Sequence, residues 1–139
     1  MEYDLERFIK AQKQDYNQAL KEIKAGKKES HWMWYIFPQL DGLGQSDTSH
    51  YYGIKGIAEA KAYLKNDDLR NHLLEICNAL LSLESNSAYD VFGKPDDYKL
   101  KSCMTLFAHA TSDNEVFLNV LDKFYQGRQD KRTLHILNK

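Results

Sequence analysis

The sequence predicts an all-α fold, one compact multi-helix domain with few or no strands. Three observations predict it. Apolar residues recur at helical spacing through most of the chain, as they do where a helix buries one face. The 139 residues include only two prolines and seven glycines, so helix-breaking positions are scarce. No segment alternates apolar and polar residues between turn signals, as a half-buried strand does.

The first helix is expected from about Asp4 to Ala25. Leu5, Phe8, Ile9, Gln12, Tyr16, Ala19, Leu20 and Ile23 form its stripe, with Asp4 as its cap and Gly26 as its left-handed stop. Ser30 is placed to cap a short helix starting at His31, which Pro38 ends by disfavouring helical geometry at Phe37. A further helix spans about Ile57 to Lys65. The next starts near Asp67 and turns Leu69, Leu73, Ile76, Cys77, Leu80 and Leu81 inward. The helix after Pro95 begins at Asp96 and buries Leu100, Cys103, Met104 and Phe107. Ser112 and Glu115 have the spacing of a capping box for a helix carrying Val116, Phe117, Val120, Leu121 and Phe124, which Gly127 ends. A last short helix from Asp130 carries Leu134 and Leu137.

The length is that of one domain, residues 1–139, with no repeat, low-complexity tract or linker. A formal net charge of −1 gives no general field toward nucleic acid or an anionic membrane, so neither is an expected partner. Two basic clusters, Lys24, Lys27 and Lys28, then Arg128, Lys131 and Arg132, read as solvated helix ends. The two cysteines, Cys77 and Cys103, are too few for a disulfide framework and fall on apolar stripes, which suits core thiols. Met1-Glu2-Tyr3-Asp4 is acidic and lacks the apolar stretch of a secretory signal, and no apolar run reaches membrane-spanning length. The expected location is a reducing cytoplasm, and the expected state is a monomer or homodimer.

Residues 30–37 read Ser-His-Trp-Met-Trp-Tyr-Ile-Phe and hold both tryptophans of the chain. Such a run makes either a buried aromatic hub or the wall of a small-molecule pocket. In the second reading Trp32, Trp34, Tyr35 and Phe37 supply rings, and His31 and Gln39 supply polar handles. The following loop, with Gly42, Gly44 and Ser46, can turn backbone N–H groups toward an anion, though it lacks the Gly-Lys-Ser/Thr of a P-loop and the third glycine of a dinucleotide fingerprint. Tyr52 adds aromatic surface beyond it. On the helix after Pro95, Lys99 and Ser102 are neighbours one turn apart, with Thr105 beside them and His109 about two turns away from Ser102. A serine next to a desolvated lysine can act as a nucleophile with its base; the plainer reading is a polar helix face turned to water. Asp47 and His50 share a helical spacing without a third ligand, so no metal site is expected, and no cofactor is assigned. His72 and His135 read as surface residues.

These runs resemble a known family. Residues 30–40 with Gly42, Leu43, Gly44 and Ser46, then Tyr51 with Gly53-Ile54, Val91-Phe92-Gly93 with Asp96, the segment from Lys99 to Phe107, and Asp130 with Thr133-Leu134 together resemble DUF1810, an uncharacterised bacterial and fungal family. The likeness covers nearly the whole chain. It implies a mainly helical fold and no particular activity. Family members usually carry a second serine where this chain has Cys103, and the tyrosine–glycine step here is spaced out by Tyr51-Tyr52. Some members are labelled calpastatin; nothing here resembles a disordered, repeat-built protease inhibitor, so that label is rejected.

Three functions follow as expectations. The first is binding or processing of a small polar ligand with a flat ring, nucleotide-like and including the ADP-ribose type, in a pocket made by the aromatic run, the glycine loop and the Lys99 helix. The second is a hydrolase built on Ser102 with Lys99, or on His31 as base. The third is a non-catalytic interaction module that uses exposed indoles. The sequence does not decide whether the protein is an enzyme.

Overall fold

The computed structural model describes residues 3–138. Met1 and Glu2, part of the acidic start noted above, and Lys139 lie outside the described residues. Nine helices and no strands are present among the described residues: α1 (Glu6–Lys24), α2 (Met33–Ile36), α3 (Asp47–Tyr52), α4 (Ile57–Lys65), α5 (Asp67–Leu81), α6 (Ala88–Phe92), α7 (Asp96–Ala110), α8 (Glu115–Tyr125) and α9 (Lys131–Leu137). No helix is long and apolar enough to cross a membrane.

Helix α7 is the axis of the fold, packed by α4, α6, α8 and α9, while α1 and α5 pair beside it. Its surroundings explain its composition. Leu100, Cys103, Met104, Leu106 and Phe107 are buried, and so are Ser102 and Thr105, so nearly the whole circumference is covered. The polar stripe of α7 is therefore not a solvated face. Burial pushes the Cys77 and Cys103 thiols far above their ordinary range, which leaves them inert core residues.

Several helix ends differ from the expectation, each for a local reason. Leu5, not Asp4, precedes α1; the Asp4 carbonyl accepts from the buried Arg7 guanidinium. Ser30 does not cap α2, which starts at Met33, because its hydroxyl donates to Glu22. The Ser112–Glu115 capping box does not form. Asn114 precedes α8 and spends its amide on the Ala108 carbonyl, while Thr111 Oγ1 accepts from the Asp113 N–H. Helix α6, absent from the sequence reading, is a single turn capped by Ser87. His72 is not a free surface residue: its ring stacks on Tyr16 at 3.8 Å and its Nδ1 lies 2.8 Å from Gln12 Oε1. Lys28 is not part of a solvated helix end either, since it is buried in an ion pair with Asp96 at 2.9 Å.

Two buried carboxylates hold the irregular segments. Glu22, on α1, is 4% exposed. Its Oε1 accepts from the Glu29 and Ser30 N–H groups at 2.7 and 2.9 Å and from the Trp32 indole at 2.9 Å. Its Oε2 accepts from the Ser30 hydroxyl at 2.6 Å and the Gln18 amide at 2.8 Å. Burial opposes ionisation, but these donors outweigh it and hold the carboxyl at about 2. Glu59, on α4, pairs with Arg7 at 3.0 Å and accepts from the Lys55 N–H at 2.7 Å. Arg7 also donates to the carbonyls of Tyr51 and Gly53, so the chain between α3 and α4 is tied to α1. Gly53 sits so close to Asp41 that a Cβ there would lie 2.6 Å from the Asp41 Cβ. That approach allows the one bridge of the described residues, Leu40 with Ile54, in which Asp41 donates to Ile54 and Ile54 to Gln39, each at 2.9 Å.

Replacing Glu22 by Gln should cost about 3 kcal/mol of stability at neutral pH, since hydrogen bonds to an ionised acceptor are the strong ones. The folded carboxyl titrates near 2, below its ordinary 4.5, so its contribution is complete above about pH 4.5 and is lost as the pH falls toward 2. Urea unfolding of both proteins from pH 7 to pH 2 should show the gap closing over that interval; a constant gap would contradict the assignment. Arg7→Met should cost about 4 kcal/mol, because it strands Glu59 in the interior. The double variant Arg7→Met/Glu59→Met should lose clearly less than the sum of the two single losses, and additivity in a double-mutant cycle would contradict the coupling.

Candidate functional site

Helix α2 is a single turn, and each residue along it points about 100° from the one before. Met33 and Ile36, three apart, therefore face the core together. Trp34 and Tyr35 are left half-buried and point to different places. Tyr35 joins Arg7, Lys10, Tyr51 and Tyr52 around a recess of about 260 Å³. Its hydroxyl donates to Asp15, and burial together with that acid raises it above the ordinary phenol range. Trp34 faces the other way, into a cavity of about 410 Å³.

Four stretches of chain meet around this cavity. The aromatic run gives Trp34 and Gln39, the loop gives Leu43 and Gly44, and α7 with its preceding turn gives Pro95, Tyr98, Lys99 and Ser102. The turn into α9 adds Asp130 and Arg132. The bridge between Leu40 and Ile54 holds Gln39 in place by its carbonyl, and among the described residues no hydrogen bond engages its side-chain amide. Gly44 packs against the indole: a Cβ there would lie 3.1 Å from Trp34 Cη2 and 2.7 Å from Ser49 Cβ. Ser46 supports this loop from outside the cavity, accepting from the Ser49 N–H at 3.1 Å as the cap of α3.

The cationic element of the cavity is built from a relay of charges. Lys99 Nζ lies 4.0 Å from the centre of the Trp34 ring and 3.1 Å from Asp96 Oδ1. The other oxygen of Asp96 holds Lys28 at 2.9 Å, and Lys28 in turn lies 4.9 Å from the Trp32 ring. Asp96 thus bridges two lysines, each over one of the two indoles. Across the cavity Arg132 donates to the Leu43 carbonyl at 3.2 Å, tying α9 to the glycine loop. Asp130 caps α9 through Oδ2, which accepts from the Thr133 N–H at 2.9 Å and from its hydroxyl at 2.6 Å. Thr105 is fully buried and fixes this turn from below, accepting from the Asp130 N–H at 2.9 Å.

The residues singled out in the sequence therefore fall into three groups. Trp34, Gln39, Gly44, Lys99 and Ser102 line the cavity. Trp32 and Phe37 are core residues, stacked at a tilt 6.1 Å apart, and Thr105 is a buried support. His31 is exposed and outside the cavity, as are Gly42 and Ser46, while Tyr35 and Tyr52 belong to the tyrosine recess. Asp130 and Arg132 were not singled out for the site; their signal was the Asp130…Thr133-Leu134 run and a basic cluster that read as a helix end. His50 meets Asp41 at 2.8 Å rather than Asp47, and among the described residues no three metal-ligating side chains converge.

The geometry also bears on chemistry. The Ser102 hydroxyl donates back to the Tyr98 carbonyl at 3.2 Å, and Lys99 pairs with Asp96 at 3.1 Å. Among the described residues there is no hydrogen bond between the two side chains, so a nucleophile–base contact is absent from this arrangement. What converges is a set of binding groups: an indole wall, an ammonium, a guanidinium, an amide and a hydroxyl.

The conserved hypothetical protein Rv1873 from Mycobacterium tuberculosis superposes with a TM-score of 0.97 at 44% identity, over 99% of this chain and 98% of that one. No curated protein matches the chain. The family model described as a protein of unknown function, DUF1810, matches residues 2–137, and the chain belongs to that family.

Proposed function

We propose that this protein binds a small, polar, nucleotide-like ligand in the Trp34 cavity, the ADP-ribose type included. One observation carries the reading: Lys99 and Trp34 are held together at 4.0 Å on the wall of a cavity of about 410 Å³. That volume is within the range of small-molecule sites and suits one nucleoside-sized unit. The part of the indole that Lys99 leaves uncovered offers a surface for a flat ring, and the cation over it offers a partner for the phosphate that such rings carry. Gln39 and Ser102 offer an amide and a hydroxyl for the edge of the ring or the sugar. The interaction-module reading has less support, because Trp32 is 1% exposed and engaged by Glu22.

Calorimetric titration with nucleoside 5′-monophosphates tests the reading. At least one should bind, and Trp34→Ala or Lys99→Ala should each weaken it about tenfold or more, the equivalent of about 1.4 kcal/mol. Silence from every monophosphate, or equal affinity in both variants, would contradict it. Gly44→Ala offers a separate check. Its methyl group would meet Ser49 Cβ at 2.7 Å and Trp34 Cη2 at 3.1 Å, so Ser49 must shift and the ring must give; affinity should fall, and denaturation should show a loss of about 1–3 kcal/mol. Unchanged affinity in this variant would mean that the loop does not set the wall.

A further inference from the structure

Beside the Trp34 cavity lies an open groove of about 690 Å³. The two share Tyr98, Asp130 and Arg132 as their common rim. The groove continues along Lys101, Arg128 and Lys131. Four cations therefore line it or its rim, against one carboxylate, Asp130, whose Oδ2 is already occupied by Thr133. Among the described residues none of the four cations is in an ion pair. Tyr98, 58% exposed, stands where cavity and groove meet. A chain with a net charge of −1 has thus gathered four cations, three of them exposed and Lys101 half-buried, beside its aromatic cavity.

We propose that this groove is the second half of the ligand site, and that the ligand is a two-unit, pyrophosphate-bridged nucleotide. The inference rests on the nucleotide reading of the cavity. In this arrangement the first ring occupies the Trp34 cavity. The bridging phosphates pass the rim at Arg132, and the second unit lies in the groove with Lys101, Arg128 and Lys131 along its phosphate side. Arginine suits this place because its guanidinium meets phosphate oxygens in pairs. A longer polyanion is less suited. The overall charge supplies no field to gather one, and the cavity and groove together match two nucleotide-sized units rather than a continuous strand.

The test compares three probes on the full chain by calorimetry: adenosine 5′-monophosphate, its two-unit anhydride P1,P2-di(adenosine-5′) pyrophosphate, and single-stranded oligoadenylates of increasing length. The anhydride should bind about tenfold or more tightly than the monophosphate, and its affinity should fall more steeply with salt. Arg128→Glu with Lys131→Glu should bring the anhydride down to the level of the monophosphate and leave monophosphate affinity unchanged. Both positions are exposed, and an unchanged melting temperature confirms that the variant is folded. Equal binding of the two probes, or an anhydride affinity indifferent to the charge reversal, would overturn the groove assignment while leaving the cavity reading intact. Affinity that keeps rising with oligoadenylate length would overturn the two-unit assignment in favour of a nucleic-acid strand. If neither adenosine probe binds and every other nucleoside 5′-monophosphate is silent as well, both the cavity reading and this extension of it are overturned.

Discussion

A single buried carboxylate, Glu22, collects five hydrogen bonds, and three of its donors belong to Ser30 and Trp32. It converts a stretch with no regular structure, between α1 and α2, into a rigid bend. The indole of Trp32 becomes the inner anchor of the aromatic run, and the single turn of α2 then carries Trp34 outward, about 100° round the helix from the buried Met33. An apolar core alone could not do this, since hydrophobic burial is indifferent to direction. The directional groups decide which indole is frame and which is wall.

The same logic repeats around the cavity. Each irregular segment is pinned by a polar group that is itself fixed by a helix. Arg7 and Glu59 hold the chain after α3, the Leu40–Ile54 bridge holds Gln39, and Thr105 holds the turn at Asp130. Asp96 couples the two lysines over the two indoles, so Lys99 is aimed by a contact that reaches back to the bend after α1. Polar contacts of this kind fix the walls of the cavity from several helices at once.

The long helices were legible because burial of one face writes a period into the sequence: α1, α5, α7 and α8 each carry an apolar stripe that survives in the structure. The starts of α4, α5 and α7 also fell where they were expected. Caps were less legible. Ser30, Asp4 and Ser112 had the right chemistry in the right place, yet the buried Glu22 took the Ser30 hydroxyl, Leu5 rather than Asp4 came to precede α1, and Asn114 took the place before α8. Helix α6 was too short to show a period. In the candidate site, Trp34, Gln39, Gly44, Lys99 and Ser102 could be picked out as polar or aromatic oddities. Their grouping apart from His31, Ser46 and Tyr52 could not, because neighbours in a one-turn helix or a tight loop face different directions. Arg132 and Asp130 were hidden by looking like an ordinary solvated helix end. Glu22 gave no sign at all: one acid on the border of a helical stripe resembles any surface glutamate.

The division of labour between the two tryptophans is the central claim, and fluorine NMR of the 5-fluorotryptophan-labelled protein tests it directly. The two indole resonances can be assigned with Trp32→Phe and Trp34→Phe variants. On titration with the nucleoside 5′-monophosphates in turn, the Trp34 signal should move and saturate with at least one, while the Trp32 signal, held by Glu22, stays where it is. Movement of Trp32 with Trp34 unmoved, or no movement of either, would contradict the account.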